Sequence, residues 1–231
     1  MSYFNQESYN TFVLGNDVVG FFDEPVTLKS GRKSHWYVNW RTVAGDVFLT
    51  DKLTDHVIDF TEDLGLEPDC FYGVPEGATK TAVITQYKWA RKSPIYGAGS
   101  HPLPMGRGKP KEGHGKPEDK YYVGAPSGKT VVIEDVTTTG GSLLGKIEEL
   151  GELDDVEIIA ALGLTNRCET TDEGLSVADA VMEAGVNYFS LTDAFQILPE
   201  AYILQQPGEA IARHIEDEFA EYGVREIKLR L

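Results

Sequence analysis

The residues best suited to chemistry lie together in one segment, residues 131–142. Three apolar residues run into two adjacent carboxylates, Glu134 and Asp135, and a turn rich in hydroxyls and glycine leads into a helical pattern at Ser142. The pattern predicts a strand, a turn and a helix start, and backbone N–H groups at a helix N-terminus bind phosphate. The acidic pair suits hydroxyl groups or a metal ion instead. A ligand with a phosphate at one end and a diol at the other is a sugar phosphate.

A second candidate is the long segment 101–120, which is rich in glycine and proline. A loop of this length inside a compact domain is normally either a functional lid or a disordered segment. The chain carries a formal net charge of −16, which argues against a nucleic-acid partner, yet most of its Lys and Arg lie between residues 29 and 129. We therefore expect this region to bind a small anion. The cations of the loop are Arg107, Lys109, Lys111, Lys116 and Lys120.

Beyond residue 69, strand-like and helix-like patterns alternate. The predicted strands are 70–74, 130–133, 156–162, 186–191 and 226–231, and the predicted helices are 78–91, 142–150, 176–184 and 210–222. Such alternation predicts an α/β fold with a central, mostly parallel sheet flanked by helices. Ligands of these sheets bind outside the carboxyl ends of the strands. Three polar segments fall there, at 73–77, 134–135 and 166–167.

Residues 1–65 show a different pattern, which predicts an N-terminal hood subdomain beside a core of residues 66–231. The predicted hood elements are strands at 26–28, 36–38 and 47–49 and a helix at 51–64. The core would carry the loop 101–120 and a C-terminal extension of helix and strand. The chain has no apolar run of the ~18–20 residues that a membrane span requires. It has no signal-peptide pattern and only two cysteines, so we expect a cytoplasmic protein with no membrane partner.

The segment 131–142 resembles the phosphoribosyl pyrophosphate (PRPP) signature of the type I phosphoribosyltransferases. Within that family, residues 27–34 are similar to the substrate-side segment of orotate phosphoribosyltransferases, and residues 107–115 are similar to their catalytic loop. The resemblance implies the type I phosphoribosyltransferase fold with an N-terminal hood. It also implies that orotate and PRPP react to give orotidine 5′-monophosphate and pyrophosphate, a step of pyrimidine biosynthesis.

The resemblance further implies which residues bind the substrates. Glu134 and Asp135 would hold the ribose hydroxyls. Lys29 and Thr138 would contact orotate, and Arg167 would pair with a carboxylate or a carbonyl of the pyrimidine. The planar guanidinium of Arg167 suits a two-pronged contact with the carboxylate. The rest of the PRPP site would be Val136, Thr137, Thr138, Thr139, Gly140, Gly141 and Ser142, and the pyrophosphate loop would be Val74, Pro75, Glu76 and Gly77.

The same resemblance gives the basic loop its role. Arg107, Lys109, Lys111 and His114 would close over the pyrophosphate, in this family often onto the neighbouring subunit, which implies a homodimer. Gly108 separates Arg107 from Lys109, where the family normally has two adjacent bases. We take Lys111 as the leading catalytic lysine.

Mg²⁺ is the implied cofactor. It would be held by oxygens of PRPP near Glu134 and Asp135 rather than directly by the protein, because Mg²⁺ commonly binds through substrate phosphates. Two alternative functions stay open on the sequence. One is a phosphoribosyltransferase for another nucleobase, and the other is a catalytically weak regulator that senses PRPP or a nucleotide.

Overall fold

The N-terminal part of the chain consists of helices around an antiparallel β-hairpin. The computed structural model describes residues 4–111 and 120–229. The N-terminal elements are α1 (Gln6–Gly15), β1 (Val19–Thr27), β2 (Lys33–Val38), α2 (Arg41–Ala44) and α3 (Val47–Asp63). Thr27 pairs with Lys33 across the hairpin. The turn between them therefore carries Lys29 and Arg32 at the hairpin tip.

The predicted strand at 47–49 is wrong, because these residues begin α3. The Asp46 side chain accepts a hydrogen bond from the Leu49 N–H at 2.9 Å, which caps the helix. Val47 and Phe48 are exposed on the first turn, so this apolar run does not enter a sheet. The predicted helix at 51–64 is confirmed as the body of α3, whereas α1 was not predicted.

The rest of the chain alternates strands and helices. Its strands are β3 (Cys70–Gly73), β4 (Met105–Gly106), β5 (Tyr122–Val123), β6 (Gly128–Thr137), β7 (Val156–Asn166) and β8 (Tyr188–Ser190). Its helices are α4 (Thr79–Lys92), α5 (Gly141–Gly151), α6 (Val177–Glu183), α7 (Ala194–Gln205) and α8 (Glu209–Tyr222). Four strands form one parallel sheet in the order β3-β6-β7-β8, which confirms the predicted α/β class.

Three elements of this region differ from the sequence prediction. Met105 pairs with Val123 in a short antiparallel ladder, so secondary structure is present inside the segment predicted as a bare loop. Residues 226–229 form no strand, and the last two residues of the predicted strand lie outside the described residues. Helix α7 was not predicted. It begins after Asp193, whose side chain accepts from the Gln196 N–H.

Hydrophobic side chains cover both faces of the parallel sheet. Because neighbouring side chains on a strand point to opposite faces, Phe71 and Tyr72 enter two different clusters. The Phe71 cluster includes Tyr9 and Trp36, so the N-terminal elements pack on this face. Helices α5 and α6 cover the other face. Among the described residues, no helix is both long and apolar enough to cross a membrane.

Candidate active site

The turn between β6 and α5 is built like a phosphate cradle. Gly140 has a left-handed backbone with a φ of 78° directly before α5, and no side chain of a described residue caps the helix. The first N–H groups of a helix without a cap lack protein partners and attract anions. From the hairpin tip, the Lys29 ammonium donates to Ser142 Oγ at 2.7 Å. Residues 136–142 and Lys29 line a cavity of about 420 Å³.

Thr137 belongs to this turn but directs its hydroxyl into the protein. Its side chain is buried, and its Oγ1 lies 2.6 Å from the Tyr188 hydroxyl on β8. Gly163 on β7 makes room for that hydroxyl, since a Cβ at this position would overlap it. Thr137 therefore offers the cradle its backbone rather than its side chain.

The acidic pair stands at the end of β6, beyond the last residue paired with β3. Glu134 is only 6% exposed, and its Oε2 has no hydrogen-bond partner in the part of the chain that is described. Burial, followed by the hydrogen bond and negative charge of Asp135, raises the pKa of Glu134 to about 9. Asp135 is half-buried and lines the larger cavity described next. The pair thus combines a buried acid, whose surroundings favour the neutral form, with a more accessible acid.

A cavity of about 600 Å³ adjoins the cradle. Its walls include Pro75, Glu76 and Gly77 of the predicted pyrophosphate loop, together with Glu134 and Asp135. A Cβ at Gly77 would overlap the Asp135 carboxylate, so the loop and the acid pair touch through this glycine. The Val74 side chain is buried in the core and does not line the cavity.

Lys29, Thr138 and Arg167 also line this larger cavity, so the structure brings the three predicted base contacts to one place. Sequence reasoning missed several further lining residues. They are Tyr37 on β2, then Asn39, Trp40 and Arg41 after the hairpin, and Lys80 as the second residue of α4. Lys80 could have been found from its position just after the pyrophosphate loop. The other four become neighbours of the site only through the packing of the hood.

The contact of Arg167 with the base stays a prediction, and the Arg167 guanidinium already uses most of its donors within the protein. Its Nε donates to Glu169 at 2.7 Å, and its Nη2 donates to Glu218 at 2.7 Å and to Ser34 at 2.9 Å. Its Nη1 donates to the Trp36 carbonyl at 3.2 Å. A guanidinium has five N–H donors, so within the described part of the chain one donor is left for a ligand.

The basic loop, at residues 106–108, lies beside the pyrophosphate loop 74–77. A Cβ at Gly106 would overlap the Tyr72 hydroxyl, and a Cβ at Gly108 would lie 2.8 Å from a Glu76 carboxylate oxygen. The Lys111 N–H donates to the Lys120 carbonyl at 2.8 Å, which continues the pairing of the two loop arms.

The predicted catalytic bases of this loop stand apart from both cavities. Within residues 4–111 and 120–229, Arg107, Lys109 and Lys111 line neither of them. His114 lies outside the described residues.

The parallel sheet, the helices on its faces and the cradle after β6 define a type I phosphoribosyltransferase fold. A solved orotate phosphoribosyltransferase from Francisella tularensis superposes with a TM-score of 0.66 and 20% identity, covering 94% of this chain and 99% of that one. Models of protein families give no match to the chain.

The amino-acid sequence is also similar to those of curated proteins. The chain is 31% identical over 174 residues to the orotate phosphoribosyltransferase of Bradyrhizobium sp. strain ORS 278, covering 75% of this chain and 88% of the relative. It is 33% identical over 181 residues to the corresponding protein of Bradyrhizobium diazoefficiens, covering 75% and 87%. The chain belongs to the orotate phosphoribosyltransferase family.

Proposed function

We propose that this protein transfers the phosphoribosyl group of PRPP to orotate and releases pyrophosphate, giving orotidine 5′-monophosphate. One observation carries the proposal. The uncapped start of α5, the Glu134–Asp135 pair and Lys29 open onto two adjoining cavities. A 5′-phosphate, a ribose diol and an anionic base each meet a matching group there. Family membership supports orotate as the acceptor.

The reaction needs little from the protein beyond positioning and charge. The bond from ribose C1 to the pyrophosphate oxygen breaks and its electron pair leaves with pyrophosphate. C1 bonds to the ring nitrogen of orotate, whose proton passes to water. Glu134 and Asp135 hold the two ribose hydroxyls and thereby fix C1 between the base and the leaving group. The pyrophosphate loop 74–77 and Lys80 lie at the leaving-group end of the cavity in this proposal. Preorganised cations there stabilise the developing charge.

The residues at the acidic pair are suited to a magnesium ion that is bound mainly by the substrate rather than by the protein. The described residues hold no cluster of three or more His, Cys, Asp or Glu side chains suited to a metal ion. Glu134 Oε2, buried without a partner, and the Asp135 carboxylate are oxygen atoms that can meet hydroxyls or water on such an ion. When bound to PRPP, Mg²⁺ would neutralise charge on the leaving pyrophosphate.

The basic loop and a second subunit complete the proposed site. Arg107, Lys109, Lys111 and His114 close over the pyrophosphate bound by the neighbouring subunit of a homodimer. The absence of Arg107, Lys109 and Lys111 from both cavity linings of their own chain supports this arrangement among the described residues. Exposed apolar side chains beside the loop are suited to the subunit contact, namely Tyr87, Ile95, Tyr96 and Leu103. We place the enzyme in the cytoplasm.

A screen of free bases tests the proposal. The protein is incubated with PRPP, Mg²⁺ and either orotate, uracil, adenine or guanine, and pyrophosphate release is followed. We expect release with orotate and loss of that release in Asp135→Asn. Folded protein that releases no pyrophosphate with orotate would overturn the proposal. Release with a different base alone would reassign the acceptor.

A further inference from the structure

A buried network of charged side chains connects the candidate base pocket to the C-terminal helix. Arg167, Glu169 and Glu218 are each less than a tenth exposed. Arg167 donates to both acids at 2.7 Å. Arg32 at the hairpin tip donates to Glu169 at 3.1 Å. Two cations and two acids from three separate parts of the chain therefore meet next to one cavity wall.

Two neutral side chains, Ser34 and Trp36, also contact the Arg167 guanidinium. Ser34 on β2 donates its hydroxyl to Glu218 at 2.9 Å and accepts from Arg167. The guanidinium carbon lies 3.8 Å from the centre of the Trp36 ring, so one face of the guanidinium is covered. A planar group held at four of its donors and across one face has little freedom to turn. The direction of its fifth N–H is consequently fixed.

The fixed orientation matters because Arg167 lines the larger cavity. A free arginine could swing two parallel N–H groups onto a carboxylate. The held arginine offers a single Nη1 donor, which suits one carbonyl oxygen of a pyrimidine ring. Its charge is opposed by two buried acids, so it adds little net attraction for an anion.

We propose that Glu169 and Glu218 are positioning residues, which fix Arg167 so that it presents one N–H to a carbonyl oxygen of the base. This inference rests on the proposed function. Glu218 belongs to α8, beyond the segment that carries the sequence motifs, and it lines neither cavity, so a residue outside the pocket sets the orientation of Arg167. Ser34 serves the same purpose because its hydroxyl connects Arg167 with Glu218.

Steady-state kinetics of Glu218→Gln test the proposal. We expect the KM for orotate to rise about tenfold, the magnitude of losing a hydrogen bond to a charged group, while the KM for PRPP stays within about twofold. Partial unfolding would lower the number of active sites and hence the apparent kcat, but it would leave both KM values unchanged. Glu209→Gln is the matched control, because Glu209 lies on the same helix in an exposed pair with Arg213. It should match the wild type.

A milder variant covers the case in which Glu218→Gln fails to fold. Ser34→Ala removes one hydroxyl and keeps both acids, and it should raise the KM for orotate about threefold with little change for PRPP. Equal changes in both KM values, or none in either variant, would overturn the positioning role. Calorimetric binding of orotidine 5′-monophosphate to the wild type separates the two proposals. A wild type that neither turns over orotate nor binds this nucleotide overturns the proposed function and the base contact with it.

Discussion

Glu134 is an acid in surroundings that favour its neutral form. Burial and the adjacent Asp135 raise its pKa from an ordinary 4.5 to about 9 in the folded protein. Between these two pH values the folded state holds a proton that the unfolded chain has lost. The contribution of Glu134 to stability is therefore fully present below about pH 4.5 and is lost as the pH rises towards 9.

Replacing Glu134 with glutamine, which does not titrate, should remove the decrease in stability that Glu134 causes as the pH rises. We expect Glu134→Gln to raise the free energy of unfolding at pH 8 by on the order of 3 kcal/mol, and to change it little at pH 4. Denaturant unfolding across that pH range measures the difference. Glu157→Gln is the control, because Glu157 is exposed on the adjacent strand β7. A constant difference between Glu134→Gln and wild type at all pH values would show that the titration of Glu134 does not govern stability.

Lys111 is our choice for the leading cation of the basic loop. Lys111→Ala should lower kcat about 100-fold, as the loss of one preorganised donor to a developing charge does, and should leave thermal unfolding unchanged because Lys111 is exposed. Lys129→Ala removes an exposed lysine at the start of β6 and should keep wild-type kinetics. Wild-type turnover by Lys111→Ala, with loss of turnover in Lys109→Ala, would move the leading role to Lys109.

At the scale of elements, the sequence predicted local structure well where one segment contains all of its determinants. The apolar strand β6, the turn at 138–140 and helix α5 are neighbours in sequence, so a strand, a glycine turn and a helix start could be read directly. The parallel sheet followed from the alternation of strands and helices. Helix α3 was predicted too short, because the capping by Asp46 outweighs the strand propensity of residues 47–49.

Features set by distant residues could not be predicted in this way. Arg167 is predicted to meet a carboxylate or a carbonyl of the ligand, but its contact with Glu218, which lies 51 residues further along the chain, was not predicted. Arg41 lines the cavity only because the hood packs against the sheet. No spacing in the sequence indicates such pairs, since they depend on how β2 and α8 pack together.

The contact between the pyrophosphate loop and β6 should be sensitive to a single methyl group. Gly77→Ala would push the new Cβ into the Asp135 carboxylate, so we expect kcat/KM for PRPP to fall about 100-fold through misplacement of the acid. Gly151→Ala at the end of α5 is the control, because a Cβ there meets no atom within 4 Å. Both proteins should remain folded by circular dichroism. Normal kinetics in Gly77→Ala would mean that the loop shifts without cost to the site.

At the scale of the whole molecule, the predicted site residues that the structure describes fall into two groups. The cradle, the acid pair and the base contacts line adjoining cavities of one chain. The basic residues of the loop that the structure describes, Arg107, Lys109 and Lys111, belong to the same chain but line neither cavity. In the proposed homodimer, each complete site therefore takes its cradle from one subunit and its basic loop from the other.

Mixing two inactive variants tests this division. Asp135→Asn damages the cradle side and Lys111→Ala damages the loop, so each homodimer should be nearly inactive. After subunit exchange at equal amounts, half of the dimers are mixed, and each mixed dimer has one intact site if loops cross between subunits. The mixture should then recover about a quarter of wild-type activity. A loop that serves its own cradle would leave every site with one defect, and the mixture would stay inactive even after exchange is verified with differently tagged subunits.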